Sequence, residues 1–446
     1  MTSPIASTAT GGPPPDPTRR SSHLESLRCR RCGQVQALGP AFVCPACFGP
    51  LEVVYDLAVA RAQLDAVTLA GRPSGIWRYL ELLPVAAPPA RGLAVGGTAL
   101  VRADGLAHAL GLRTLWLKDD SRNPTLSFKD RVVAMAAARA VEFGFDTLAC
   151  ASTGNLAGAT AAAAAVAGLR CVVFVPADLE PPKIAQALAY GATVVPVNGT
   201  YDQVNRLSLE VAGEYEWAFV NVNLRPYYAE GSKTLAFEVA EQLGWRLPDV
   251  LVAPLASGSL YVKTGKAVRE LEAVGLVEPH PVRFVGGQAA GCAPIAAAFH
   301  TGRDVIEPVR DPDTFVKSLA IGDPADGAYA LELARTSGGS LEAVPDQATA
   351  AAIRLVAETE GIYTETAGGV TVAALQQALA RGVVRPEDEV VVLLTGNGLK
   401  TPDARTVGLE APPGGRDGAR IRPGQAGLAE PIGPSLRSFE AWYASA

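Results

Sequence analysis

Asn123-Pro124-Thr125-Leu126-Ser127-Phe128-Lys129-Asp130-Arg131 decides the fold and points at the chemistry. A strand-like run over 114–117 leads into it, and an apolar helix over 132–143 leaves it. A lysine at such a junction is held on a rigid framework yet stays open to a cleft, where an amine must stand to form a Schiff base. Lys129 therefore reads as the residue that carries pyridoxal phosphate. Taken alone, the stretch reads equally well as a solvated lysine in the first turn of a surface helix, the commoner fate of lysine. Three further loops tip the balance towards the cofactor.

Outward from this stretch, short β-rich runs alternate with helical ones. Strands are predicted over 147–151, 171–176, 193–197, 218–220, 250–253 and 282–285, and helices over 155–168, 181–190, 201–214, 230–243 and 260–274. Such alternation means an α/β protein with open, mostly parallel sheets. Helices over 346–360, started by Pro345-Asp346, and over 370–380 precede a last strand over 389–394. Towards the N-terminus, Gly75-Ile76-Trp77-Arg78-Tyr79 reads as an apolar strap, and Gly96-Gly97-Thr98-Ala99-Leu100 as a turn into a short strand.

The 446 residues exceed one core and imply two or three domains. The reading divides them into a disordered leader over 1–24, a ribbon-like segment over 25–56, a catalytic region over 57–402 and a loosely ordered tail over 403–446. Within the catalytic region a smaller mobile subdomain is expected at about 135–240. Hydrophobic content of 48% with 19% charged residues fits a well-buried enzyme. The net charge of −6 offers no basic field for nucleic acid. The longest apolar run, 159–177, is broken by Arg170 and mostly alanine, so it reads as a buried helix and strand, with no membrane span. Met1 to Thr18 lacks the basic start and apolar core of a secretory signal.

Four of seven cysteines cluster as Cys29-Arg30-Arg31-Cys32 and Cys44-Pro45-Ala46-Cys47, with eleven residues between the pairs. Two such knuckles offer four thiolates to a tetrahedral zinc ion, a closed site with a structural role. The alternative is a ribbon that folds without metal. Cys150, Cys171 and Cys292 lie in apolar runs and read as packing. The four histidines, His23, His108, His280 and His300, show no ligand spacing. This cysteine usage points to a reducing cytoplasm.

Ligands gather at the carboxyl ends of strands in parallel sheets. Ser152-Thr153-Gly154-Asn155 follows one predicted strand and opens a helix, an anion cradle fit for a substrate carboxylate. An ordinary N-cap would account for one of these residues. Ala256, Ser257, Gly258, Ser259 and Leu260 follow another strand and let the backbone approach a phosphate, or simply make a tight turn. Thr395-Gly396-Asn397-Gly398-Leu399-Lys400 follows the last strand; it is either a turn or a place where the Thr395 hydroxyl meets a ring nitrogen. A neutral partner there would make the ring a weaker electron sink than an acidic one would.

Together with the cysteine ribbon, Ile76-Trp77-Arg78-Tyr79 and Lys118-Asp119-Asp120, these loops resemble the threonine synthase family of fold-type-II pyridoxal-phosphate enzymes over about 27–402. Asn221-Val222-Asn223-Leu224-Arg225-Pro226-Tyr227-Tyr228 with Glu230-Gly231, Ala320-Ile321-Gly322-Asp323-Pro324 and Ala367-Gly368-Gly369-Val370-Thr371 extend the match. The resemblance implies conversion of O-phospho-L-homoserine and water to L-threonine and phosphate, by a cytoplasmic homodimer whose partner is a small phosphorylated amino acid. It implies that Lys129 holds the cofactor and moves the Cα and Cβ protons. Asn155 would bond the ring hydroxyl, Thr395 the ring nitrogen, and the 256–260 backbone the cofactor phosphate. Ser152 and Thr153 would meet the substrate carboxylate. Arg225 and Asn223, with Lys118 behind them, are the candidates for the substrate phosphate. Leu126, Leu156, Asp323 and Thr366 depart from the commonest family pattern, and the missing hydroxyl at Leu156 keeps two alternatives open. One is a cysteate-synthase-like or dehydratase-like enzyme; the other is a catalytically silent binding protein.

Overall fold

The computed structural model describes residues 23–152, 154–177, 181–198 and 201–401. The tail expected over 403–446, Thr153 and most of the expected leader lie outside them. His23 and Leu24, assigned to the leader, are ordered. Leu24 begins a strand, and the buried His23 ring stacks on Tyr55 and meets the Leu83 carbonyl at 3.2 Å.

Thirteen strands run through the described residues: β1 (Leu24–Cys29), β2 (Val35–Gln36), β3 (Leu51–Tyr55), β4 (Leu100–Arg102), β5 (Thr114–Asp119), β6 (Thr147–Ala151), β7 (Arg170–Pro176), β8 (Thr193–Val197), β9 (Ala218–Phe219), β10 (Val250–Pro254), β11 (Arg283–Ala289), β12 (Ser340–Val344) and β13 (Glu389–Leu394). They build two compact units, each discontinuous in sequence.

Among the described residues, the first unit takes those up to 96, 129–234 and 269–276, so the ribbon-like segment 25–56 is counted with the residues after Lys129. The ribbon is an antiparallel sheet of order β2-β1-β3, and a four-stranded parallel sheet has order β8-β7-β6-β9. Thr147-Leu148-Ala149-Cys150-Ala151 is buried throughout, as a parallel strand covered on both faces must be. Its core gathers Ala149, Ala151, Phe174, Val204, Phe219 and Val222, with Phe42 of the ribbon loop packed against it.

The second unit takes 97–128, 235–268 and the described residues from 277 onward. Its six-stranded sheet has order β12-β11-β10-β13-β5-β4, parallel except for β4. Val390, Val391 and Val392 of β13 are fully buried, each contributing about 1.5–3 kcal/mol of burial free energy. The glycine-bearing helix Thr366–Ala380 covers this sheet and belongs to the same core, through Val370, Val372 and Ala374.

One residue of the opening stretch adopts the left-handed conformation: Leu126, with φ +64°. A side chain there costs about 1 kcal/mol or more, which accounts for the glycine the related pattern favours. Because Leu126 is half exposed, little burial offsets that cost. Leu126→Gly is expected to stabilise the protein by about 1 kcal/mol, read as a higher urea midpoint; a lower midpoint would show that its packing matters more.

Candidate active site

The second unit supplies a rigid frame for the residues that precede Lys129. Ser127 forms an antiparallel bridge with Gly396. The Phe128 N–H donates to the Thr395 carbonyl at 2.8 Å, and the Asn397 N–H donates to the Leu126 carbonyl at 3.0 Å. Asn123 closes the turn, its carbonyl accepting from Leu126 and its amide donating to the Asp120 carbonyl at 3.2 Å. The end of β13 thus clasps the strand-like residues 126–128, and Lys129 is the next residue of the chain.

Behind Thr395 stands a group the sequence reading missed. The Thr395 hydroxyl donates to Glu365 Oε1 at 3.1 Å, and both residues are buried. With its proton engaged there, the hydroxyl can offer only lone pairs to a ring nitrogen, and a buried carboxylate polarises it. Any group that meets this hydroxyl therefore meets an oxygen already bonded to an acidic side chain. Glu365 is the N-cap of helix Thr366–Ala380 and makes no side-chain cap bond; its local sequence carried no signal of this contact.

Two observations in this unit fit pyridoxal phosphate. Ser127 Oγ is fully buried with no hydrogen-bond partner among the described residues, a costly orphan unless a ligand meets it. Among the described residues, none of the N–H groups of Ala256, Ser257, Gly258, Ser259 and Leu260 donates to a backbone carbonyl. They span the turn after β10 and the first residues of the helix Ser259–Val274, where the helix dipole adds to their pull on an anion.

The first unit carries Lys129, half-buried at the start of helix Lys129–Glu142. That helix packs against Asn155–Ala167 and Arg225–Glu230, so the elements bearing Lys129, Asn155 and Arg225 are neighbours. The contact with the third is tight: a Cβ on Gly231 would lie 2.5 Å from the Arg131 carbonyl oxygen, and Arg131 donates to Thr234 Oγ1 at 3.0 Å. Gly154 is the N-cap of helix Asn155–Ala167, and Ser152 Oγ accepts from the Gly154 N–H at 3.3 Å.

Two candidates for the substrate phosphate are already engaged. Asn223 Oδ1 accepts from the Phe219 N–H at 2.8 Å and its Nδ2 donates to the Trp217 carbonyl at 2.9 Å, closing the turn after β9. Lys118 is fully buried in the second unit, its ammonium donating to Glu238 Oε2 and the Thr98 carbonyl at 2.7 Å and to Gln242 Oε1 at 2.9 Å. Three donors have three acceptors. Arg225 opens the helix Arg225–Glu230 of the first unit and is half-buried.

The four ribbon cysteines converge with all sulfurs within 4.8 Å of one another. Cys29–Cys47 and Cys32–Cys44 sulfurs lie 3.5 and 3.7 Å apart, close to the ~3.8 Å edge of a zinc–thiolate tetrahedron with ~2.3 Å bonds. Backbone N–H groups of Arg31 and Cys32 point at the Cys29 sulfur from 3.4 and 3.5 Å. Burial pushes that thiol up, but these bonds bring it down to about 6. Elsewhere burial pushes the Cys150 thiol up to about 12 and raises Cys171 and Cys292, as packing residues should be.

A family model for pyridoxal-phosphate dependent enzymes matches residues 92–396. A threonine synthase of Methanocaldococcus jannaschii is 35% identical over 387 residues, which cover 86% of this chain and 95% of that protein. A threonine synthase of Methanosarcina acetivorans is 35% identical over 378 residues, 84% of this chain and 92% of that protein. Among solved structures, threonine deaminase isoform 2 from Solanum lycopersicum superposes with a TM-score of 0.58 at 20% identity, covering 74% of this chain and 93% of that one. Maize serine racemase gives 0.56 at 18% identity, over 67% and 89%. These two share the fold, while the family model and the curated relatives place the sequence: the chain belongs to the pyridoxal-phosphate dependent enzymes and, within them, to the threonine synthases.

Proposed function

We propose that this protein converts O-phospho-L-homoserine and water to L-threonine and phosphate. The observation that carries the reading is the clasp of residues 126–128 by 395–397, which seats the residue before Lys129 against Thr395 and leaves the Ser127 hydroxyl without a partner among the described residues. In the reaction the Cγ–O bond breaks, phosphate leaves with the bridging oxygen, and the oxygen of water becomes the Cβ hydroxyl. Bound pyridoxal phosphate supplies the electron sink that makes the Cα and Cβ protons acidic.

The chain's own residues do the rest. Lys129 holds the cofactor and then moves protons at Cα and Cβ. Asn155 bonds the ring hydroxyl, Thr395 with Glu365 behind it meets the ring nitrogen, and the N–H groups of 256–260 hold the cofactor phosphate. Ser152, with Thr153 beside it in sequence, orients the substrate carboxylate. Arg225 binds the substrate phosphate, and Arg225→Gln is expected to raise KM for O-phosphohomoserine about tenfold or more; an unchanged KM would remove it from the site. We read the four-cysteine cluster as a structural zinc site. We place the chain in the cytoplasm as a homodimer, as the resemblance implies.

Product analysis tests the reading. O-Phosphohomoserine should yield threonine and phosphate in equal amounts, and O-phosphoserine neither. Release of 2-oxobutyrate with phosphate would favour the dehydratase-like reading, which the apolar Leu156 at the first turn of helix Asn155–Ala167 supports. Absence of any product would favour a silent binding protein.

A further inference from the structure

The ribbon is built into the segment that carries Arg225. Its loop, residues 37–42, runs between the two cysteine pairs and makes three attachments. The Gly39 N–H donates to Tyr227 Oη at 2.9 Å, and the same hydroxyl donates to the Gly39 carbonyl at 2.9 Å. The Ala41 N–H donates to the Asn223 carbonyl at 2.8 Å. Phe42 packs on the core formed by Phe219 and Val222. Asn223 and Tyr227 flank Arg225 in sequence, so these ties hold the turn and helix from which the guanidinium projects.

The loop is only as ordered as its ends. It hangs between Cys32 and Cys44, and a metal joining the two pairs closes it into a small ring, cutting the conformations open to residues 33–43. The knuckles are shaped for that closure. A Cβ on Gly49 would lie 2.9 Å from the Cys29 sulfur and 3.2 Å from that of Cys47, so only glycine leaves room for the thiols. A second tie between ribbon and segment does not depend on the metal. Tyr55, at the end of β3, donates to Glu230 Oε2 at 2.8 Å from the sheet side. The sheet fixes one end of the helix Arg225–Glu230; the loop fixes the other.

We propose that a metal ion held by Cys29, Cys32, Cys44 and Cys47 sets the affinity for the phosphorylated substrate, by ordering the loop 37–42 against Asn223 and Tyr227. The cluster is then more than a staple for the ribbon: it is a positioning device for Arg225, and metal supply becomes a control on substrate capture. This rests on the zinc and Arg225 readings above.

The test uses the full-length enzyme loaded with pyridoxal phosphate, with zinc ion as the probe. Stripping zinc with a chelator under reducing conditions should raise KM for O-phosphohomoserine about tenfold while kcat stays within about twofold. Hydrogen–deuterium exchange should rise across 217–228, β1 and β3 should stay protected, and added zinc should reverse both effects. Should stripping unfold the ribbon, Tyr227→Phe decides the matter. It keeps the ring that packs on Phe143 and Arg139 and removes the hydroxyl bonded to Gly39. That variant should retain its zinc yet show the same faster exchange and a KM raised about fivefold to tenfold. Zinc bound, with exchange across 217–228 unchanged by both stripping and Tyr227→Phe, would overturn the inference alone. A protein that takes up no zinc would overturn the metal reading beneath it. Faster exchange with KM unmoved would place the fault with Arg225.

Discussion

Lys129→Ala is expected to give a folded protein without the visible absorbance of covalently held cofactor, and with turnover reduced by roughly a thousandfold or more. The fold should survive because Lys129 is only half-buried while the helix is anchored beyond it by Val132, Val133, Met135 and Ala136, all fully buried. Alanine is also the better helix former. The preceding residues keep their bonds to Thr395 and Asn397 whatever side chain follows, since those bonds are made by backbone groups. Loss of colour with an unchanged unfolding midpoint would therefore isolate the chemistry from the scaffold. A variant still coloured, and still turning over, would move the attachment elsewhere.

The largest expected effect on stability belongs to Lys233→Met. The Lys233 ammonium is fully buried and meets Glu230 Oε2, Glu270 Oε2 and the Leu82 carbonyl, each at 2.7 Å. It also sits 4.1 Å from the centre of the Tyr55 ring. Burial, with Glu230 beside it, pushes the Tyr55 phenol far above its ordinary range, so that group stays a donor to the carboxylate. Methionine nearly conserves volume but leaves two carboxylates facing each other out of water. Removing one partner of such a buried set costs about 3–5 kcal/mol. The shift of the urea midpoint measures it, and Glu270→Gln in the same background should recover part of the loss. A midpoint that hardly moves would mean that water reaches the cluster.

Much of the architecture was legible because parallel sheets write themselves as apolar runs. The expected strands 147–151, 193–197 and 389–394 and the helices 201–214 and 346–360 coincide with the elements found. Failures fell where a polar residue or a glycine hid tertiary packing. The strand Ser340–Val344 was not foreseen because Glu342 interrupts it, although that carboxylate is fully buried with Arg381 at 3.2 Å. The helix expected over 230–243 divides into Arg225–Glu230 and Lys233–Gln242, because the chain turns at Gly231 where it crosses Arg131. Gly368 and Gly369, which precede the helix expected over 370–380, lie inside helix Thr366–Ala380 and let it press on Thr364 and Ile353. The site divides in the same way. Lys129 and the three loops announce themselves by residue type and position. Glu365 and Ser127 matter only through neighbours distant in sequence, and the work of Asn223 and Lys118 inside the scaffold leaves no trace in local pattern.

Strand β13 lies between β10 and β5, though it is the last of the thirteen strands in chain order. On the ribosome, then, both halves of this sheet emerge before the piece that joins them, with the inner edges of β10 and β5 still lacking a partner for their N–H and C=O groups. Until residues 389–394 leave the exit tunnel, those edges are open to pairing with other nascent chains. The same late segment carries Thr395 at its end, so a polypeptide stalled before it would lack the clasp on residues 126–128. Cofactor capture could then report that translation has run its full course through this strand.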